Sequence, residues 1–298
     1  MKKNEIEVEY MSKQTVGFIG IGVMGKSMAS HIMKAGYPLV VYTRTKEKAM
    51  ELLDEGANWA DSPKQLAEQA DIVISMVGYP HDVEEIYLGE NGIITNGRAG
   101  LYIIDMTTSK PSLAIKLHNE GKEKGIYVLD APVSGGDIGA KNAKLAIMVG
   151  GDEEVFNNMK PLLEVMGENI IYQGKAGSGQ HTKMCNQIVI ASNMIGVCEA
   201  IVYAEKAGLE PNKVLESIST GAAASWSLSN LAPRILNEDY SPGFFIKHFV
   251  KDMQIALEEA EAMDMETPGL SLSKKMYETL NEQGEGNSGT QALYKYWK

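Results

Sequence analysis

Three groups of residues in this chain have the types and spacing to do chemistry. The first is Val16-Gly-Phe-Ile-Gly-Ile-Gly-Val-Met-Gly25, where Gly20, Gly22 and Gly25 fit G-x-G-x-x-G between an apolar run and a helix-like stretch. There the first glycine permits a tight turn, the second lets backbone approach a pyrophosphate, and the third lets helix pack on strand. Ile21, Val23 and Met24 complete a loop whose free N–H groups, at a helix start, would hold the phosphates of a dinucleotide. The second group centres on Lys183, in a long and otherwise apolar stretch. Desolvation lowers a lysine pKa towards a useful range, so such a group can protonate a carbonyl oxygen during reduction and recover the proton during oxidation. Asn186 and Gln187, three and four residues on, share its helical face. The third group is Ser134-Gly135-Gly136. Its small residues expose backbone N–H groups and its serine adds a hydroxyl, a combination suited to a carboxylate.

Each group also has a plainer reading. The glycine segment satisfies the P-loop pattern G-x-x-x-x-G-K-[ST] through Gly20, Gly25, Lys26 and Ser27, with Asp105 available as a magnesium-side carboxylate. That would make a nucleotide kinase or hydrolase, and a structural turn is a third option. Gly22 favours the dinucleotide, because it puts bare backbone against a pyrophosphate. A single lysine more often snorkels to water than does chemistry, and Pro-x-Ser-Gly-Gly is more often a turn.

The second apolar run separates the two nicotinamide cofactors. A NAD-type site carries Asp or Glu about 20 residues beyond the glycines, bonded to the ribose 2′-OH. Here Leu39-Val-Val-Tyr42 runs into Thr43-Arg44-Thr45 with no acid. Arg44 can pair with a 2′-phosphate, with Thr43, Thr45 and Lys48 nearby. The expectation is NADP in preference to NAD, with NAD still usable.

These residues need elements to position them. Short apolar runs at Thr15–Ile19, Leu39–Tyr42, Ile72–Val77, Tyr102–Asp105 and Ile126–Leu129 alternate with helix-like stretches at 24–35, 46–55, 63–69, 83–88 and 111–124. That alternation predicts βαβ units around a parallel sheet buried on both faces. Runs at 143–149 and 170–172 offer further strands. Beyond Gly174-Lys-Ala-Gly-Ser-Gly179 the periods turn helical, through a long segment to Lys206, then 211–219, 228–236, 251–263 and 270–282, with 283–289 as a loop. The expected fold is α/β, a Rossmann-type doubly wound parallel sheet over 14–176, followed by an all-helical domain over 177–298 for substrate binding and oligomerisation.

Composition narrows the partners. At 298 residues, 44% hydrophobic and 22% charged, the chain can build two cores, and its formal charge of −11 disfavours nucleic acid and anionic membrane surfaces. Two cysteines, Cys185 and Cys198, make neither a disulfide framework nor a zinc cage, which fits a reducing compartment. The five histidines, at 31, 81, 118, 181 and 248, give no i, i+4 metal pair, so no metal is expected. Glu5, Glu7 and Glu9 break any signal-peptide core, and the apolar stretch Met184–Ala204 is interrupted by Asn186, Gln187, Asn193 and Glu199. The expectation is a cytoplasmic protein that does not enter the membrane.

The glycine loop, Asp130-Ala-Pro-Val-Ser-Gly-Gly136 and Gly177-x-Gly-x-x-x-Lys183, in that order, resemble the β-hydroxyacid dehydrogenase family, which includes 3-hydroxyisobutyrate dehydrogenases and tartronate semialdehyde reductases. The resemblance runs from Thr15 to at least Asp252. It implies reversible hydride transfer, with Lys183 matching the catalytic lysine and Ser134–Gly136 cradling the substrate carboxylate. An amide on the lysine's face helps bind substrate in the family, often four residues on. Here Gln187 stands at that position and Asn186 one residue before, so both are carried. The resemblance also implies that Thr107 and Thr108 lie near the nicotinamide, and that Met76-Val77-Gly78, in place of Met-Leu-Pro, binds the cofactor. Lys251, in a Lys-Asp pair ahead of a helix at 253–263, would lie near the cofactor, while Asp252 alone could be a helix N-cap. Trp226 and Phe245 could line a pocket or a core. Family members often form homodimers or homotetramers. Small carboxylate substrates are implied: the semialdehydes of methylmalonate, tartronate and succinate, and glyoxylate. The alternatives are an imine or other carbonyl reductase, a P-loop enzyme, and a dinucleotide-sensing module without turnover.

Overall fold

The computed structural model describes residues 14–298, so the charged leader ahead of them lies outside the described residues. The chain divides into two compact units, one ending at Lys183 and the other Met184–Lys298.

The first unit is built on one sheet. Its strands are β1 (Val16–Ile19), β2 (Leu39–Tyr42), β3 (Asn58–Trp59), β4 (Ile72–Ser75), β5 (Tyr102–Asp105), β6 (Tyr127–Asp130), β7 (Val133–Ser134), β8 (Leu145–Gly150) and β9 (Gly167–Gly174). The order β3-β2-β1-β4-β5-β6 is parallel throughout, and the order in which the chain adds strands reverses between β1 and β4. In such sheets ligands bind beyond the carboxyl ends of the strands at that switch point. The sheet is not wholly parallel, however. β8 runs antiparallel to β6 and β7 and parallel to β9. β6 and β7 therefore run the same way, and the chain turns back between Ser134 and Leu145, a connection shorter than the dozen or so residues that a parallel crossover needs.

Helices cover both faces: α1 (Val23–Lys34), α2 (Met50–Asp54), α3 (Pro63–Gln69), α4 (Pro80–Leu88), α5 (Ile93–Asn96), α6 (Pro111–Glu123), α7 (Gly136–Lys141) and α8 (Glu153–Leu163). Successive strand residues point to opposite faces. Val16, Phe18, Ile72 and Ile74 pack with Met28 and Ile32 of α1, while Ile19, Val73 and Ile103 pack with Leu66, Val83 and Leu117. All these side chains are buried, so the strands read as continuous apolar runs.

Helix α9 (Ser178–Lys206) begins in the first unit and continues into the second. It is long and apolar enough to cross a membrane by length and composition, and 44% of its most apolar stretch is buried in the fold. The second unit continues with α10 (Pro211–Ile218), α11 (Trp226–Asn230), α12 (Ala232–Leu236), α13 (Ile246–Ala262), α14 (Pro268–Glu282) and a closing 3₁₀ segment, Thr290–Trp297. Its core joins Met194, Cys198 and Ile201 of α9 to Phe249, Met253, Tyr277 and Leu293. The ring of Phe249 meets Tyr277 edge-on at 5.1 Å, and the Tyr277 hydroxyl donates to the Thr290 carbonyl. Where one helix is expected over 228–236, two form around Leu231. Where a helix is expected from Lys251, α13 already starts at Ile246, because Ile246, Phe249 and Met253 carry its buried stripe back beyond the charged pair.

Candidate active site

The glycine loop joins β1 to α1, and its three glycines stand in different surroundings. Gly20 has φ +98°, and a Cβ there would lie 2.2 Å from the Met76 carbonyl oxygen. This close approach joins the loops that follow β1 and β4, at the switch point. A Cβ on Gly25 would lie 1.9 Å from the Gly20 carbonyl oxygen, so helix and loop touch with no room for a side chain. Gly22 differs from both. It is exposed, its φ of −93° suits any residue, and a Cβ there would meet nothing within 4 Å. The fold itself gives no reason for glycine at 22, whereas a pyrophosphate against the backbone does. The loop therefore fits a dinucleotide. The residues offered for it fall around this point: Ile21 is buried, Val23 is exposed and Met24 is half-buried, while Met76, Val77 and Gly78 follow β4.

The P-loop pattern does not form a P-loop here. Lys26 lies within α1 and its ammonium pairs with Glu51 of α2. Asp105, the carboxylate that reading would place on magnesium, is 3% exposed and engaged inside the protein. It accepts from the Ser75 hydroxyl at 2.7 Å and the Thr107 N–H at 3.1 Å. The Tyr87 hydroxyl lies 2.6 Å from Ser75, and Thr107 in turn accepts the Val77 N–H at 3.0 Å. This buried chain fixes the β4 loop to the β5 loop that carries Thr108, and its members are scattered along the sequence. Among the described residues no His, Cys, Asp and Glu group could hold a metal ion.

Burial lifts the Asp105 carboxyl to about 6 from an ordinary 3.8, with the hydrogen bonds from Ser75 and Thr107 opposing the rise and Asp130 adding to it. A carboxyl with a raised folded-state pKa binds its proton more tightly in the folded chain than in the unfolded one. Its ionised form is therefore destabilising at neutral pH, by about 2–3 kcal/mol, and that penalty fades as pH falls from about 6 to about 4. Asp105→Asn, which keeps the accepting oxygen, should be more stable than the parent at neutral pH. Urea unfolding across this window should show the gain vanishing near pH 4.

Lys183 lies in the second turn of α9 and is 6% exposed. The start of its helix is held by two residues for which the sequence suggested no such role. The Asp130 carboxylate, at the end of β6, accepts the N–H of Gly177 at 2.8 Å and of Gln180 at 2.9 Å, a charged cap on a helix start. Gly150 and Gly179 lie so close that a Cβ on either would come within 3 Å of that carboxylate. Gln180 is fully buried; its side chain accepts the Ser109 N–H at 2.9 Å and donates to the Thr107 carbonyl at 2.7 Å. The turn before Lys183 is thereby locked to the loop containing Thr108. Ser134 ends β7 half-buried, and Gly135 and Gly136 follow with φ of +128° and +61° into α7.

In the second unit the two amides part company. Gln187 is fully buried, and it donates to Asp252 Oδ2 at 2.6 Å while accepting from the Asn186 amide at 2.7 Å. Asn186 is half-buried. Lys251 Nζ lies 2.7 Å from Asp252 Oδ1. Asp252 is thus no N-cap: it sits inside α13, 1% exposed, between a lysine and an amide. Trp226, at the start of α11, is 60% exposed and so is no core residue, and Phe245 is the N-cap residue of α13.

Thr43 is half-buried, and Arg44 and Thr45 are exposed, just beyond β2. Arg44 Nη1 donates to Asp82 Oδ1 at 3.0 Å. Asp82, in the first turn of α4, is an acid near the expected ribose end that the reading of β2 alone did not contain.

Residues 15–174 match the family model described as the NAD binding domain of 6-phosphogluconate dehydrogenase, and residues 177–297 the one described as the NAD-binding of NADP-dependent 3-hydroxyisobutyrate dehydrogenase. The chain belongs to the β-hydroxyacid dehydrogenase family. Relatives of this β-hydroxyacid dehydrogenase include an uncharacterized oxidoreductase, YkwC, of Bacillus subtilis, 65% identical over 96% of this chain and 99% of the relative. The 2-hydroxy-3-oxopropionate reductase of Escherichia coli is 38% identical over 93% and 95%. The solved structure of Mycobacterium tuberculosis 3-hydroxyisobutyrate dehydrogenase with L-serine aligns at a TM-score of 0.88 and 29% identity, over 96% of this chain and 99% of that one. The family's members are NAD(P)-dependent oxidoreductases acting on CH–OH groups, and so is this one.

Proposed function

We propose that this β-hydroxyacid dehydrogenase interconverts a short β-hydroxyacid and its semialdehyde, prefers NADP to NAD, and uses Lys183 as proton donor and acceptor. The observation that carries the reading is a nearly buried lysine on a helix start anchored by Asp130 and Gln180. A bound reduced nicotinamide supplies the hydride. Lys183 protonates the carbonyl oxygen, and in the oxidative direction it takes that proton back. Ser134, Gly135 and Gly136 hold the substrate carboxylate through hydroxyl and N–H groups. Asn186 serves as the substrate amide, because it is half-buried whereas Gln187 is fully buried and donates to Asp252. Gly20, Ile21, Gly22, Val23, Met24, Met76, Val77, Gly78, Thr108 and Lys251 contact the cofactor, and Thr43, Arg44 and Thr45 its 2′-phosphate.

The chemistry of the relatives supports the substrate class. One acts on 2-hydroxy-3-oxopropionate, and another was solved with L-serine, itself a β-hydroxyacid. We place the enzyme in the cytoplasm, away from membranes and nucleic acid, in keeping with two free cysteines and a charge of −11. A homodimer or homotetramer is supported by Val189 and Tyr203 of α9, 67% and 73% exposed.

The test is a turnover screen of the semialdehydes of methylmalonate, tartronate and succinate, and of glyoxylate, with NADPH and NADH. Arg44→Ala should raise KM for NADPH about 10- to 100-fold and leave that for NADH within about twofold, the scale of a charge-assisted pair. Equal effects on both cofactors would overturn the NADP preference.

A further inference from the structure

Arg44 does not stand alone at the end of β2. Its guanidinium reaches Asp82, 3.0 Å away, and the two partners live in different surroundings: the arginine side chain is 78% exposed and the aspartate only 9%. The other Asp82 oxygen, Oδ2, is buried with no hydrogen-bond donor among the described residues. His81 Nε2 lies 3.7 Å from Oδ1, on a side chain that is itself 78% exposed. The buried carboxylate therefore relies on Arg44 for its hydrogen-bonded compensation.

We propose that Asp82 is a specificity-determining residue that restrains the preference for a 2′-phosphate. The inference rests on Arg44 meeting the 2′ end of the cofactor, as argued above. A 2′-phosphate must share Arg44 with Asp82 or draw it away. Sharing brings two anions to one cation, within a few ångströms of each other. Drawing it away leaves a buried carboxylate uncompensated, a heavier loss than giving up an exposed ion pair. A 2′-hydroxyl makes neither demand, so NAD-type ligands escape the penalty. The pair thus keeps NAD usable on a strand end that lacks the acid of a NAD site.

The experiment measures binding, not turnover, by titration calorimetry with 2′,5′-ADP and 5′-AMP, which differ only in the 2′-phosphate. Asp82→Asn keeps the shape and removes the charge. It should tighten 2′,5′-ADP about tenfold while 5′-AMP moves less than about twofold, and Asp82→Ser should shift the ratio in the same direction should the asparagine variant fold poorly. Unchanged selectivity, or weaker 2′,5′-ADP binding, in a variant with the parent's circular dichroism overturns the proposal. Arg44→Ala separates the two failures. If it leaves 2′,5′-ADP binding untouched, the NADP reading itself falls; if it weakens that ligand while Asp82→Asn changes nothing, only the role of Asp82 falls.

Discussion

Lys183→Ala should lower kcat about 10³-fold and leave the affinity for NADPH within about twofold. The residue is 6% exposed, and on the proposed reading its removal deletes the proton donor from surroundings that water reaches poorly. The helix start does not depend on it, because Asp130 and Gln180 hold that turn through the backbone N–H groups of Gly177 and Gln180 and the loop at Thr107–Ser109. Nucleotide affinity, followed by the fluorescence of bound NADPH, is the control. Lys183→Arg, too basic to release its proton, should restore little of the rate. A variant with substantial residual kcat would remove Lys183 from the chemistry.

Gly22→Val should fold as the parent does and bind NADPH about 100-fold more weakly, the scale of forcing methyl groups into a contact that has no room for them. Gly25→Val should fail differently. A Cβ at 22 meets open space, whereas one at 25 would lie 1.9 Å from the Gly20 carbonyl oxygen. Melting temperature and NADPH titration of the two variants separate these outcomes: unchanged melting with lost binding at 22, and lost melting at 25. If Gly22→Val binds normally, the open space beside it is not where the pyrophosphate lies.

Much of this was legible in the sequence because it is local. β1, β2, β4, β5 and β6 are continuous apolar runs, since each is buried on both faces, and the glycine loop and Lys183 announce themselves by neighbours within a few residues. The short antiparallel piece β7 and the six-residue α7 lie inside a segment whose small residues point equally to a turn. Helix α8 escaped because Pro161 stands in its last turn, where a proline normally signals an end. What sequence spacing could not show is the support beneath the site. Gly177 and Asp130 are 47 residues apart, Gln180 and Thr107 are 73 apart, and Arg44 and Asp82 are 38 apart. Each of those partners is an ordinary polar residue at the end of an element until the fold brings it to the other. The same holds for Asp252, which looks like a cap beside Lys251 and becomes, inside α13, the acceptor for Gln187.

Asp130 carries a consequence for how such a chain can change over generations. A side chain at Gly150 would come 2.6 Å from one carboxylate oxygen, and one at Gly179 would come 2.8 Å from the other. Backbone closes the same two places: a side chain at Gly179 would lie 2.3 Å from the Met148 carbonyl oxygen, and one at Gly150 2.8 Å from the Gly179 nitrogen. A shorter residue at 130 would release the N–H groups of Gly177 and Gln180. Changing the aspartate therefore frees neither glycine, and a lineage that loses Asp130 loses the anchor of a helix without gaining room for a side chain at 150 or 179.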